Sequence, residues 1–379
     1  MPYDAPHAVS PGLWALAWRR LRSDRVAMIS LAIVAAFMLM IVLSATGLIA
    51  RDWAREEGVN YAPPTFVGPD AATAPAGAVP GAPVAGEPGT AENESDLQIA
   101  DPLADALAAI KAGATKPGEA PPAPDTKSVD PLADVMADIK AKGAGRADAV
   151  ATRAATLPFG GDKWGRDVLK KVIKGSQTSI FVGIAAAIVA VFLGSVFGAV
   201  AGYYGKWLDD VFNWFYSVFT AIPYLLLILA VAAVLQQKGT LTIILILGLT
   251  GWTGVFRLIR GEYLKHKGRE YVQAADAIGA SNARRMFVHI FPNISHVVLV
   301  QLSILVVAFI KSEVILSFLG FGVPVDVVSW GSMLNEAQNE LILGKWWQLA
   351  AAGTAMALLV TAFSLFTDAL RDALDPKLK

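Results

Sequence analysis

Several stretches of 20 or more residues contain almost no charged side chain, and this feature limits the fold of the chain more than any other. An α-helix of about 20 apolar residues is long enough to cross roughly 30 Å of hydrocarbon. The 379-residue chain is 55% hydrophobic and 17% charged, so it is more apolar and less charged than an ordinary soluble domain. The sequence therefore predicts an all-α, polytopic membrane protein.

The apolar stretches predict six transmembrane helices, at 26–50, 178–203, 207–235, 241–258, 294–319 and 347–370. The first stretch is much longer than the apolar region of a signal peptide, so we interpret it as a retained anchor. Lys and Arg mark the cytoplasmic side of a membrane protein. They cluster before the first helix, between the fourth and fifth helices, and in the C-terminal tail. Both termini are therefore predicted to be cytoplasmic.

Composition divides the chain into an N-terminal part with the first transmembrane helix (1–50), an extracytoplasmic insertion (51–157) and a transmembrane core (158–379). The insertion is rich in Ala, Pro, Gly and Asp, and it cannot build a packed core alone. Within it, 101–112 and 130–141 are identical at nine of twelve positions, and each copy begins with helix-start signals. The repeat is either a duplicated piece of a tolerated insertion or a pair of helices that docks on an extracytoplasmic partner.

Two segments beside the spans are predicted to be short helices. Residues 158–175 read as a Gly-rich turn and a short amphipathic helix, whose apolar side is Val168, Leu169 and Val172. The tryptophan and lysines of this segment are typical of the membrane interface. Residues 330–339 are too short to cross the membrane, and we expect them to dip back as a short helix.

The loop at 269–293 is too polar for lipid and has the composition of two short helices joined by a bend. The first helix is predicted to end at Gly279, because a C-terminal cap needs a residue with positive φ. Ser281 can cap the second helix, which we expect to end before Pro292. Such a hairpin is either a rigid lever between two spans or an ordinary surface loop.

The string Gln273-Ala-Ala-x-x-x-Gly279, followed by Phe291-Pro292, resembles the EAA signature of binding-protein-dependent ABC transporter permeases. The chain departs from the family at Gln273, where Glu is common. The resemblance implies that this hairpin couples the permease to its ATPases. The coupling residues are then Tyr271, Gln273, Ala274, Ala275, Ile278, Gly279, Arg284 and Arg285.

Further landmarks are similar to those of the dipeptide and oligopeptide permeases, at 161–167, 201–205, 312–322, 329–331 and 371–376. The resemblance implies a type I importer permease core in the bacterial inner membrane. The implied partners are a second related permease, two cytoplasmic ABC ATPases and an extracytoplasmic peptide-binding protein. The solute is then a di- or oligopeptide, although nickel or another solute stays open.

Catalytic and cofactor motifs are absent from the sequence. No Gly-x-x-x-x-Gly-Lys-Ser/Thr cradle is present, so ATP and Mg belong to partner subunits and this chain binds no cofactor. His289 and His296 lack a third ligand, which disfavours a metal site, and the balanced charge disfavours nucleic acid. We therefore expect a transport subunit that is not an enzyme. The alternatives are a non-transporting receptor or anchor that binds a partner through 101–141, and an intramembrane enzyme.

Two charged residues, Lys311 and Glu313, lie inside the fifth predicted span. They are two positions apart and therefore point to nearly opposite faces of a helix. Charges inside spans are costly and mark functional sites by default. They either line the translocation path or serve snorkelling and packing between subunits.

Overall fold

The computed structural model describes residues 13–69 and 153–374, and these ranges are almost entirely helical. A π-helical turn, Arg285–Ile290, joins α9 to α10. The helices are α1 (Leu13–Ser23), α2 (Arg25–Ala45), α3 (Val168–Tyr204), α4 (Lys206–Thr220), α5 (Tyr224–Leu235), α6 (Thr240–Thr250), α7 (Thr253–Lys267), α8 (Glu270–Ala277), α9 (Asn282–Arg284), α10 (Phe291–Phe318), α11 (Trp330–Ile342) and α12 (Trp347–Leu374).

Four helical runs in the described ranges are long and apolar enough to cross a membrane: α2, α3, the continuous run Asn282–Phe318, and α12. Two further runs pass the same test only as bent pairs. Helices α4 and α5 meet at 86°, and α6 and α7 meet at 41°. The multi-span helical fold agrees with the prediction, and the predicted count of six holds if each bent pair is one span.

The two bends have different causes. Pro223 precedes α5 and has no amide hydrogen, so the helix cannot continue through it. Gly251 lies between α6 and α7, where the ring of Phe309 packs closely. A Cβ added at Gly251 would lie 2.3 Å from Cζ of Phe309, so only glycine allows this approach.

Helix α3 is central, because α6, α7, α10, α11 and α12 all pack against it. Its contact with α7 depends on three glycines spaced four residues apart, Gly194, Gly198 and Gly202. A Cβ at Gly198 would lie 2.8 Å from the carbonyl oxygen of Phe256, and one at Gly202 would lie 2.6 Å from that of Arg260. This close backbone packing holds α7, and with it the following hairpin, against the longest helix of the fold.

Two irregular segments, 51–69 and 153–167, pair with each other to form what we call the strap. The amides of Glu57 and Gly58 donate to the carbonyl of Gly165 at 3.0 and 2.8 Å, and the amide of Thr65 donates to Leu157. The strap belongs to the same compact unit as the helices. The ends of the predicted insertion are thus ordered against the core, whereas both copies of the repeat lie outside the described residues.

The segment at 158–175 does not form the separate amphipathic helix that the sequence predicted. Helix α3 begins at Val168 and continues to Tyr204 without interruption. Gly175 leaves room for α11, since a Cβ there would lie 3.2 Å from the carbonyl carbon of Ser329. Val168 and Lys171 are buried in the protein, so this turn is not a lipid-interface helix.

Helix α11 has 13 residues and does not cross the membrane, as expected for a short returning helix. Its start is fixed by Trp330, whose backbone amide donates to the hydroxyl of Ser179 at 3.1 Å. The indole of Trp330 donates to the carbonyl of Val172 at 3.1 Å. Gly331 lets α11 touch α10, because a Cβ there would lie 2.6 Å from the carbonyl oxygen of Val314.

Candidate functional site

The loop between α7 and α10 folds as a capped helical hairpin. Gly279 has φ +84°, as its sequence context predicts, and its amide donates to Asp276 while that of Ala280 donates to Ala275, both at 2.9 Å. This pair of bonds is the Schellman arrangement that terminates α8. Ser281 caps α9 by accepting from the amide of Arg284 at 3.4 Å. Both ends of the bend are therefore satisfied by local hydrogen bonds.

Most of the predicted coupling residues are exposed on the outer surface of the hairpin. Ile278, at the tip beside Gly279, is 85% exposed, which is unusual for a large apolar side chain. The hydroxyl of Tyr271 lies 2.7 Å from Nδ1 of His266, and burial raises the pKa of Tyr271, so it stays a neutral phenol. The exposed residues of this surface are Tyr271, Gln273, Ala274, Ile278, Gly279 and Arg284.

Two of the predicted coupling residues have a different location. Ala275 is buried with Val272 on the inner side of α8, so its small size serves packing within the chain and leaves no surface for a partner. Arg285 bridges the two helices, with its guanidinium 2.5 Å from Oδ1 of Asp276 and 2.5 Å from Oδ1 of Asn282. It therefore stiffens the hairpin from within.

The hairpin does not end before Pro292, and this prediction was wrong. The helical run continues from Asn282 to Phe318 through the proline. Proline lacks an amide hydrogen and collides with the preceding turn of a regular helix, but the turn before Pro292 is the wider π-helix. The side chain of Asn293 donates to the carbonyl of His289 at 2.7 Å. The hairpin is thus joined to α10 without a loop.

Three residues that the sequence analysis did not single out attach the hairpin to the spans. The hydroxyl of Tyr203 donates to Asn282 at 3.1 Å, and that of Tyr263 donates to the carbonyl of Met286 at 3.2 Å. The ammonium of Lys267 donates to the carbonyl of Tyr203 at 2.6 Å. The first two bonds connect α3 and α7 to the second arm of the hairpin, and the third joins α7 to α3. No local pattern distinguishes the residues that make these bonds.

Lys311 and Glu313 point to opposite faces of α10, as their spacing predicts. Lys311 is exposed, whereas Glu313 is fully buried. One oxygen of Glu313 accepts from the hydroxyl of Ser317 at 2.7 Å, and the other has no hydrogen-bond partner in the described part of the chain. For Glu313, burial supports packing over a direct place in a translocation path.

A second buried charge cluster joins the strap to three helices; it consists of Asp162, Lys171, Glu336, Glu340 and Gln348, and we call it the Lys171 cluster. The ammonium of Lys171, 1% exposed, lies 2.8 Å from Oδ2 of Asp162 and 2.5 Å from Oε2 of Glu336. It also lies 3.2 Å from Oε1 of Gln348. The sequence analysis missed this cluster, because its members are up to 186 positions apart.

Glu340 is 1% exposed, and neither of its carboxyl oxygens has a hydrogen-bond partner among the described residues. Burial raises the pKa of Glu340 to about 7, with smaller contributions from Asp162 and Glu336, while Lys171 opposes the shift. The neutral acid is favoured in the folded protein, so stability is lost as pH rises from about 4.5, the ordinary value, through about 7.

We expect Glu340→Gln to remove this pH dependence. Between pH 5 and 8, the wild type is expected to lose about 1–3 kcal/mol of stability relative to the Gln variant. Thermal unfolding in detergent over that pH range measures the difference. Glu270→Gln, at an exposed position of α8, is the control and is expected to follow the wild type. Parallel pH profiles for wild type and Glu340→Gln would contradict the assignment.

The spans, the hairpin between α7 and α10 and the short helix α11 describe a multi-span membrane protein with a rigid polar loop. Residues 191–379 match the family of the binding-protein-dependent transport system inner membrane component. Residues 12–64 match the N-terminal transmembrane domain of oligopeptide transport permease C. The chain belongs to the family of inner membrane components of binding-protein-dependent transport systems, which confirms the resemblance inferred from the sequence.

Curated relatives carry the names of peptide permeases. The chain is 38% identical over 221 residues to the dipeptide transport system permease protein DppC of Bacillus subtilis, covering 58% of this chain and 69% of the relative. It is 37% identical to the oligopeptide transport system permease protein OppC of the same organism, covering 58% and 72%. It is 34% identical to the glutathione transport system permease protein GsiD of Pectobacterium atrosepticum, covering 58% and 73%.

Proposed function

We propose that this chain is the permease subunit of an ATP-driven importer that translocates di- or oligopeptides delivered by an extracytoplasmic binding protein. The observation that carries the proposal is the hairpin, a rigid element with an exposed apolar tip that continues directly into a membrane span. The names of the relatives support a peptide as the solute. A second related permease completes the membrane part.

Two cytoplasmic ATPase subunits hydrolyse ATP with Mg, and this chain transmits their movement. Ile278 at 85% exposure fits an apolar pocket on an ATPase, and Tyr271 and Gln273 of the same hairpin are exposed as well. Movement of the ATPases displaces the hairpin as one body, because the Gly279 cap and the Arg285 bridge hold its arms together. The displacement passes into α10 and alternately opens the path to either side.

We test this proposal by expressing the chain with its partner subunits and measuring two properties of the purified complex. The ATPases are expected to co-purify, and proteoliposomes are expected to take up a tripeptide only with ATP and loaded binding protein. Co-purification without uptake of any peptide would point to another solute. Failure of the ATPases to co-purify would instead favour a non-transporting receptor or anchor.

The chain is proposed to span the bacterial inner membrane with both termini in the cytoplasm. Helix α1 packs against the end of α12, where the guanidinium of Arg20 donates to the carbonyl of Ala373 at 3.4 Å. This contact supports a common side for the two helices. The Lys and Arg bias of the short loops favours the cytoplasm as that side.

Single cysteines test this topology in a chain that has none. Thr65 in the strap and Asp372 in α12 are both exposed. An impermeant maleimide is expected to label Thr65→Cys in cells whose inner membrane is intact, and to label Asp372→Cys only after permeabilisation. Labelling of Asp372→Cys before permeabilisation would reverse the assigned orientation.

A further inference from the structure

Lys311 is a charged residue in a membrane span, and it has no ion-pair partner among the residues that the structure describes. Its side chain is exposed, and no carboxylate of the described residues lies within ion-pair distance of its ammonium group. Glu313, the other charge of the span, is buried on the opposite face of α10. An unpaired ammonium facing hydrocarbon is strongly unfavourable. The environment of Lys311 in the assembled transporter must therefore be polar.

The Lys311 side chain cannot reach a polar environment by extending to the nearer end of the helix. Lys311 lies seven residues, or about 10 Å, before the end of α10 at Phe318. Side chains of a helix tilt toward its N-terminus. The side chain of Lys311 therefore leaves the helix toward the middle of the span and away from the nearer surface.

The side of α10 that carries Lys311 mixes polar and apolar residues, since Ile304 and Ile315 are also exposed there. Exposed residues of α3 at comparable depth are the apolar Phe181, Ile188 and Phe192. On α10, Gln301 lies about three turns before Lys311 and within about 80° of it around the helix. Lys311 and Gln301 therefore give this side of α10, over about 15 Å of its axis, a polar character that the exposed side of α3 lacks.

The broken span α4–α5 packs in the same core as α10. Ile228 of α5, in the helix that follows the 86° bend, belongs to the same buried cluster as Ile310, the residue before Lys311. Broken spans surround the solute sites of many transporters, and the start of a helix carries partial positive charge. The positive charge of Lys311, on a helix that packs in one core with a broken span, suits an anionic group of the solute.

We propose that Lys311 lines the translocation path and binds the carboxylate of the peptide as the peptide passes. The proposal rests on the proposed transport function and refines it, because it assigns the anionic group of the solute to one residue. An ammonium and a carboxylate form a charge-assisted hydrogen bond, and the exposed side chain stays free to release its partner.

The first test uses the absence of native cysteine in this chain. In the assembled complex, Lys311→Cys is expected to react with the water-soluble reagent methanethiosulfonate ethyltrimethylammonium, and trialanine delivered by the binding protein is expected to slow the reaction. Phe192→Cys, on the apolar face of α3, is the matched control and is expected to stay unreactive. An unreactive Lys311→Cys would overturn the proposal, because it would place the residue against lipid or the second permease.

The second test compares trialanine with trialanine amide, which lacks the carboxylate. We expect Lys311→Glu to slow uptake of trialanine about tenfold, the effect of one charge-assisted hydrogen bond, and to change uptake of the amide by less than about twofold. Lys311→Arg is expected to retain most of the wild-type rate with both peptides. Selection by the binding protein is the same for every variant. It therefore cancels when the uptake rate of a variant is divided by that of the wild type for the same peptide.

Equal slowing of both peptides by Lys311→Glu would refute carboxylate recognition while leaving the transport function intact. Wild-type proteoliposomes that take up neither peptide would instead refute the proposed peptide transport, and the present proposal with it. The two failures are therefore separable.

Discussion

Replacing Gly279 with valine is expected to reduce peptide uptake more than tenfold while the protein still inserts into the membrane. Gly279 has φ +84°, a conformation that costs a β-branched residue about 1–2 kcal/mol or more. Apart from its two chain neighbours, no heavy atom of the described residues lies within 4 Å of a Cβ at this position, so the effect arises from the backbone alone. The strain opposes the Schellman turn, and without that turn the two arms of the hairpin no longer move together.

A glycine of the same loop provides the matched control for this substitution. Gly268, at the end of α7, also has free space around a Cβ, but its φ is −84°. Gly268→Val is therefore expected to transport at close to the wild-type rate, and Gly279→Asn is expected to retain part of the activity. Uptake by proteoliposomes measures transport, and co-purification of the ATPases measures their binding to the hairpin. Normal uptake by Gly279→Val would show that the hairpin does not transmit movement as described.

Replacing Lys171 with methionine is expected to cost about 3–5 kcal/mol of stability, the largest effect that we expect for any single side chain of this protein. The substitution leaves the carboxylates of Asp162 and Glu336 without their shared cation at a site where Asp162 is 0% exposed. Asp162 keeps its hydrogen bonds from the amides of Trp164 and Arg166, so the strap turn itself is retained. The contact between the strap, α3 and α11 is therefore expected to loosen.

The neighbouring lysine shows how much of this effect depends on burial. Lys170 also holds two carboxylates, those of Asp52 and Glu57, at 2.9 and 2.7 Å, but its side chain is 29% exposed. Lys170→Met is expected to cost no more than about 1 kcal/mol. Thermal unfolding of both variants in detergent, at low and high salt, tests the comparison. Equal destabilisation by the two substitutions would show that the Lys171 cluster is not a buried junction.

The hairpin could be predicted from the sequence because its signals are local. Gly279 and Ser281 stand within a few residues of the backbone groups that they cap, so their types alone indicate where α8 ends and α9 begins. The burial of Ala275 could not be predicted in this way. The exposure of Ala275 depends on how α8 packs against the π-helical turn. That packing depends on spans that are distant from each other in the sequence.

The helix end predicted at Pro292 was wrong for a related reason. A proline usually ends a helix, and the residues around Pro292 carry no signal that the preceding turn is wider than an α-helical turn. The tertiary structure supplies that turn, because Met286 and Ile290 are buried against α7 and α8. The hairpin and α10 are consequently one continuous element.

The sequence by itself determined the membrane class, the apolar runs that form the spans, the caps of the hairpin and the family. These properties depend on runs of apolar residues or on spacings of a few positions, which a single chain displays directly. Only the tertiary structure decided which charges are partnered, because a charge inside a span looks the same in sequence whether its partner is near or absent. Lys171 meets Glu336 from 165 positions away, whereas Lys311, two residues from Glu313, has no partner among the described residues. Packing of distant helices thus made one lysine a structural junction and left the other free to act.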